Sequence, residues 1–258
     1  PEPMLKGLVP CRLSPEDRQD KFCYVFTTDA VLSSSVGKTP LVQLGKVVPR
    51  SHGTVWLKME SSNPTGSYKD RMAVAVLGRA LQRGDIKPGS RVVEYTGGST
   101  GTSLAFVAAR LGLRFVAVSS DAFSEEKLRS MRAYGAEVIV EKSDNGTITP
   151  ELIARMKERA HELASEKDCF YTDQFGSPDV LAGYEPMGAE IADQTDGAID
   201  AICAGVGTGG ALMGAAIGLE NKGVQLDVVA LEPAQAPLLT TGVGGAHRVE
   251  GIGVGFEP

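Results

Sequence analysis

The sequence predicts an α/β fold of the doubly wound kind, and three observations point there. Strand-like and helix-like segments alternate from Thr39 onward, and βα alternation builds a mostly parallel sheet with helices on its faces. The strand-like segments are short unbroken apolar runs such as Phe115–Val118, which a sheet covered on both faces requires. Two glycine-rich turns, Thr96-Gly97-Gly98-Ser99-Thr100-Gly101 and Gly205-Val206-Gly207-Thr208-Gly209-Gly210, fall where a strand gives way to a helix.

Each element has its own local signal. Thr54–Glu60 alternates like a strand, and Met72–Leu81 reads as a helix. Asn63-Pro64 and Gly66 form the turn between them, with Ser67 a candidate N-cap. Arg91–Tyr95 is strand-like, and Thr100–Leu111 is a helix closed by Gly112. After the strand Phe115–Val118, Ser124 can cap a helix to about Tyr134, ended by Gly135. Val138–Val140 is another strand, and Thr149 precedes a long charged helix to about Glu166. Ala198–Ala204 is a strand, Ala211–Glu220 a helix and Val228–Leu231 a strand. Residues 1–35 carry little periodicity and read as an N-terminal extension.

With 258 residues the chain has room for one or two domains and a substantial core. A net charge of −6 argues against nucleic acid or a membrane surface as partner. No apolar run approaches the length of a spanning helix, and no signal-peptide pattern opens the chain. The four cysteines, Cys11, Cys23, Cys169 and Cys203, lack metal-type or disulfide-scaffold spacing, so a reduced cytoplasmic chain is expected. His52, His161 and His247 show no metal spacing, and no metal is expected.

The chemistry concentrates in three places. Lys69, in Asn63-Pro64-Thr65-Gly66-Ser67-Tyr68-Lys69-Asp70-Arg71, stands where a strand gives way to a helix. The positive end of the helix dipole lowers a lysine pKa there, and such an amine can form a Schiff base with a carbonyl. An ordinary surface lysine beside Asp70 and Arg71 carries the same local pattern. Each glycine-rich turn puts backbone amides and a helix N-terminus together, which makes an anion site, although ordinary tight βα turns look alike. The second turn also fits a dinucleotide fingerprint through Gly205, Gly207 and Gly210, with Glu232 placed as a ribose-binding acid. That nicotinamide reading leaves the lysine turn and the turn at 96–101 without a purpose.

Taken in order, these motifs resemble the fold-type II pyridoxal-phosphate (PLP) enzymes, specifically the cysteine synthase and cystathionine β-synthase family. Gly37-Lys38-Thr39-Pro40-Leu41-Val42-Gln43-Leu44 is similar to that family's opening strand, and Asn63–Arg71 to its Schiff-base motif. Thr96–Gly101 is similar to its substrate-carboxylate loop, and Gln174-Phe175 to a pair beside the substrate. Gly207–Gly210 looks like the phosphate cup, and Glu250–Phe256 like the loop near the cofactor ring. The resemblance covers about Val36 to Pro258. It implies two doubly wound α/β domains of the tryptophan synthase β-subunit type, with the cofactor in the cleft between them. The smaller domain is expected at 61–175. The larger is expected at 36–60 plus 176–258, with its C-terminal part, including the Ser or Thr beside the pyridine nitrogen, beyond Pro258.

The resemblance further implies that Lys69 holds the cofactor as an internal aldimine and takes the α-proton. Ser99, Gly207, Thr208, Gly209, Gly210 and Gly253 are the implied cofactor contacts. Thr96, Gly97, Gly98, Ser99, Thr100 and Gln174 are the implied substrate contacts. The implied reaction is β-replacement on O-acetyl-L-serine or a related serine derivative, through an aminoacrylate, giving L-cysteine or an analogue. β-Elimination of the desulfhydrase or dehydratase type is the alternative, as is a non-catalytic protein that kept the fold. A homodimer is implied by analogy. The loop departs from the family's Thr-Ser-Gly-Asn-Thr-Gly at Gly97 and Ser99, and Ala211 replaces a frequent threonine in the phosphate cup.

Overall fold

The computed structural model describes residues 35–46, 48–49, 52–245, 247 and 249–258. The expected extension at 1–35 lies almost entirely outside these, as do Cys11 and Cys23. The elements in order are β1 (Leu41–Leu44), β2 (Val55–Lys58), α1 (Lys69–Arg83), β3 (Arg91–Tyr95), α2 (Ser99–Leu111), β4 (Arg114–Ser120), α3 (Glu125–Ala133) and β5 (Glu137–Glu141). They continue with α4 (Pro150–Ala164), β6 (Cys169–Tyr171), α5 (Pro178–Thr195), β7 (Ala201–Gly205), α6 (Gly210–Glu220), β8 (Asp227–Leu231) and α7 (Leu238–Thr241).

A four-stranded sheet in the order β5-β4-β3-β6 is parallel throughout. Its β3 and β4 are buried along almost their whole length, as the unbroken apolar runs require. Ala73, Leu77, Leu104, Val107, Phe115 and Met131 form the cluster contributed by α1, α2 and α3. Val93, Tyr95, Val116 and Val118 meet Leu152, Met156 and Ala160 of α4 in a second cluster. The residues of β3 and β4 alternate between these clusters, so the sheet has helices on both faces. The loop after β3 therefore opens at the C-terminal edge of a central strand, where sites of α/β sheets gather.

Two smaller sheets stand apart: β1 pairs antiparallel with β2, and β7 pairs parallel with β8. Val228, Val229 and Leu231 of β8 are more than a third exposed, as are Val42, Val55, Trp56 and Leu57. The unbroken apolar runs of β7 and β8 predict strands covered on both faces. Among the described residues these strands pair only with each other, and the helix packed on them is α6.

The third cluster joins Met72 and Val76 of α1 to Val180, Tyr184 and Met187 of α5 and to Ala215 and Leu219 of α6. Helix α1 thus serves two clusters, with Lys69 at its first position. Helix α5 is absent from the sequence expectations because Gly183, Pro186 and Gly188 read as breakers. It forms because its small residues let α6 come close. A methyl at Gly188 would strike the carbonyl of Ala215, and one at Gly218 the carbonyl of Glu185.

Candidate active site

The turn before α1 is fixed by its own polar groups. Gly66 donates its N–H to the Asn63 carbonyl at 2.8 Å with φ at +77°, a left-handed geometry glycine adopts freely. Asp70 accepts from the Thr65 N–H at 2.9 Å and the Thr65 hydroxyl at 2.6 Å. Tyr68 is the N-cap, not Ser67. The Ser67 hydroxyl instead accepts from the Lys69 N–H at 3.1 Å.

Lys69 is 7% exposed, and its Nζ stands 3.3 Å from the Thr208 hydroxyl and 5.2 Å from the Tyr68 ring centre. Burial pulls its pKa down to about 8, while the charge of Glu94 pulls the other way. Desolvation is therefore the main cause, where the helix dipole was expected to act. Asp70 and Arg71 both serve the structure around the turn. Arg71 is buried and reaches Glu60 and Glu190, each at 2.8 Å, and Lys58 adds a bond to Glu190 at 2.7 Å. Those bonds overcome desolvation and hold Glu190 down at about 2.

Opposite Lys69 lies the turn Gly207–Gly210. Gly209 has φ at +72° and caps α6, so the first amides of that helix face the turn. Gly253 donates its N–H to the Val206 carbonyl at 2.9 Å, and a methyl at Gly207 would strike the Gly251 carbonyl. The loop at 250–256 therefore lies directly over the turn at 205–210. A turn of amides with no room for a side chain at Gly207 or Gly210, and with a buried amine beside it, fits a phosphorylated aldehyde cofactor. Glu232 does not stand free as a ribose acceptor. It accepts from the Leu239 and Thr240 amides at 2.8 and 2.9 Å and from the Thr240 hydroxyl at 2.6 Å, which caps α7.

The loop after β3 is held from within. The Thr96 hydroxyl oxygen accepts from the N–H groups of Gly98 and Gly101 at 3.3 and 3.2 Å. The Thr100 hydroxyl donates to Gln174 Oε1 at 2.8 Å, and Gln174 Nε2 donates to the Tyr95 carbonyl at 3.1 Å. Both ends of the Gln174 amide thus brace the loop at which its substrate contact is expected. Ser99 lines a cavity of about 220 Å³ with Thr65, Ser67, Thr102 and Lys127. The N–H groups of Ser99 and Thr100, at the start of α2, have no acceptor within the helix and can bind a carboxylate.

One residue here, Glu94, and one set of contacts, between Phe175 and its aromatic neighbours, were not foreseen from the sequence. Glu94 is fully buried and accepts from the Thr172 hydroxyl at 2.6 Å and the Gln174 N–H at 3.0 Å. An acid in an otherwise apolar strand, two residues before a glycine-rich turn, was the available signal. Phe175 stacks on Tyr95 at 6.0 Å and meets Phe256 at 5.1 Å between ring centres. Nothing in the spacing of these aromatics foretells that contact.

A buried amine beside one glycine-rich turn, with a second such turn at the edge of a parallel sheet, is the arrangement of a PLP-dependent enzyme. The family of pyridoxal-phosphate dependent enzymes matches residues 32–258, and the chain belongs to it, in the cysteine synthase branch. A cysteine synthase of Staphylococcus aureus (strain Mu50 / ATCC 700699) is 38% identical over 229 residues, covering 88% of this chain and 72% of the relative. The crystal structure of O-ureido-L-serine synthase is 36% identical with a TM-score of 0.76, covering 86% of this chain and 68% of that one. The cysteine synthase structure from Entamoeba histolytica is 31% identical with a TM-score of 0.80, covering 97% and 72%. The nicotinamide reading built on Gly205, Gly207, Gly210 and Glu232 is thereby set aside.

Proposed function

We propose that the chain carries out PLP-dependent β-replacement on O-acetyl-L-serine or a related serine derivative, making L-cysteine or an analogue. The observation that carries this is the 3.3 Å approach of the Lys69 amine to Thr208 in the phosphate cradle. PLP, when bound, supplies an electron sink for the α-carbon. The chain's own residues supply the rest. The Lys69 amine, with its pKa near 8, is neutral often enough that it would hold the cofactor aldehyde and would serve as base for the α-proton. Gly207, Thr208, Gly209 and Gly210 hold the phosphate, and Ser99 and Gly253 stand toward the cofactor. The amides and hydroxyls of residues 96–100, with Gln174 as brace, hold the substrate carboxylate. The cofactor lies between the units 61–175 and 36–60 with 176–258, a reading supported by the two clusters that α1 serves.

The loop's departures at Gly97 and Ser99 support a second outcome, β-elimination, in which no sulfur nucleophile adds and the product is hydrolysed. A homodimer in the cytoplasm is carried over from family analogy. Among the described residues no helix is long and apolar enough to cross a membrane. The test is product analysis with O-acetyl-L-serine, with and without sulfide. L-Cysteine only when sulfide is present supports replacement, and pyruvate with ammonia supports elimination. Lys69→Ala is expected to abolish both products and the visible absorbance of bound cofactor; turnover retained by that variant overturns the mechanism.

A further inference from the structure

The outer side of the loop at 96–100 is roofed by one short segment. Phe123 immediately precedes Ser124, the N-cap of α3, and Lys127 lies in that helix's first turn. A methyl added at Gly97 would land inside the Phe123 ring, overlapping Cδ1 and Cε1. A methyl at Gly98 would meet the Lys127 stem and its Nζ, both at 3.2 Å. The ring packs on the cluster that includes Tyr95 and Val118, and the Phe123 N–H donates to the Ser120 carbonyl at 3.2 Å. Lys127 is tied at 2.7 Å to Glu250, on the loop that covers the phosphate turn. Two adjacent glycines thus form the floor under two side chains four positions apart.

We propose that Phe123 is a positioning residue for the substrate carboxylate: its ring stands where a side chain at 97 would stand and keeps water off the loop's amides. The proposal rests on reading residues 96–100 as the carboxylate loop. A hydrogen bond to a carboxylate is stronger where the local dielectric is low. Where related loops place a serine hydroxyl, this one has an apolar cover. A serine at 97 and the ring of 123 cannot occupy the same volume, so the two positions act as one unit.

The experiment compares the wild type with Gly97→Ser, Phe123→Ala, Phe123→Leu and the double variant Gly97→Ser/Phe123→Ala. Thermal unfolding of the cofactor-free proteins reads the coupling, and KM for O-acetyl-L-serine of the holoenzymes reads the function. Gly97→Ser is expected to lower the midpoint by roughly 2–10 °C through overpacking, and Phe123→Ala in the same chain to recover most of that loss. Phe123→Ala is expected to raise KM about tenfold, more than it lowers kcat, with the cofactor absorbance kept. Phe123→Leu, which keeps an apolar cover, should lie between. Simply additive midpoints, or a KM unmoved by Phe123→Ala, overturn the proposal. A wild type whose cofactor band answers to no β-substituted amino acid sinks the activity reading and the carboxylate role with it. The thermal comparison still decides whether 97 and 123 are coupled.

Discussion

Glu94 is buried on every side, and burial, helped by the nearby charge of Asp173, raises its pKa to about 7 against the bonds from Thr172 and Gln174 that favour its charge. Its folded pKa lies above the ordinary value of 4.5, so the folded chain binds the proton more tightly than the unfolded one between those limits. Stability from this group is full below pH 4.5 and falls as pH rises to about 7. Glu94→Gln removes that dependence. Denaturant unfolding from pH 5 to 7 should show the variant gaining on its parent by on the order of 2 kcal/mol, and a difference that stays flat refutes the assignment. Lys69 has the opposite sense. Its folded pKa of about 8 lies below the ordinary 10.5, so the stability linked to it rises with pH through that window. Its position was legible in the sequence through the turn Asn63–Ser67. The cause of its pKa was not, because burial is a property of the packed chain.

Helix boundaries show the same division. Thr149 was legible as the start of α4 because Thr-Pro before a charged amphipathic run is a local signal. Its hydroxyl does accept from the Leu152 N–H at 3.2 Å. Thr149→Ala is expected to cost about 1 kcal/mol in chemical unfolding with the fold kept; a cost below about 0.3 kcal/mol would show that the cap is idle. Ser67 and Ser124 look equally good in the sequence, yet neither side chain caps its helix. The strands β3, β4 and β5 and helices α1 to α4 were legible through period and punctuation. Strand β6, three residues long, carries too little pattern to be seen. Helix α5 was hidden because Gly and Pro score against a helix in isolation, while close packing on α6 favours one. The glycine-rich loops were legible as anion sites; the ring of Phe123 over Gly97 and the brace through Gln174 depend on long-range contacts and were not.

At the scale of the whole molecule, the buried amine and the turn proposed to hold the phosphate come from distant parts of the chain, Lys69 on α1 and Thr208 before α6. A cofactor bonded at one and held at the other ties both parts together. PLP at about a hundred times its dissociation constant should raise the unfolding midpoint by roughly 5–10 °C, and should not do so in Lys69→Ala. An equal rise in both proteins would show that binding does not depend on the amine. The seam of Gly188 and Gly218, where two helices touch through bare backbone, bears on how this chain can be altered. Side-chain exchange cannot retune that contact, because there are no side chains in it. A randomised library spanning these positions should return glycine almost alone among folded clones. For anyone redesigning the protein, the seam belongs with the fixed parts, although it carries no chemistry.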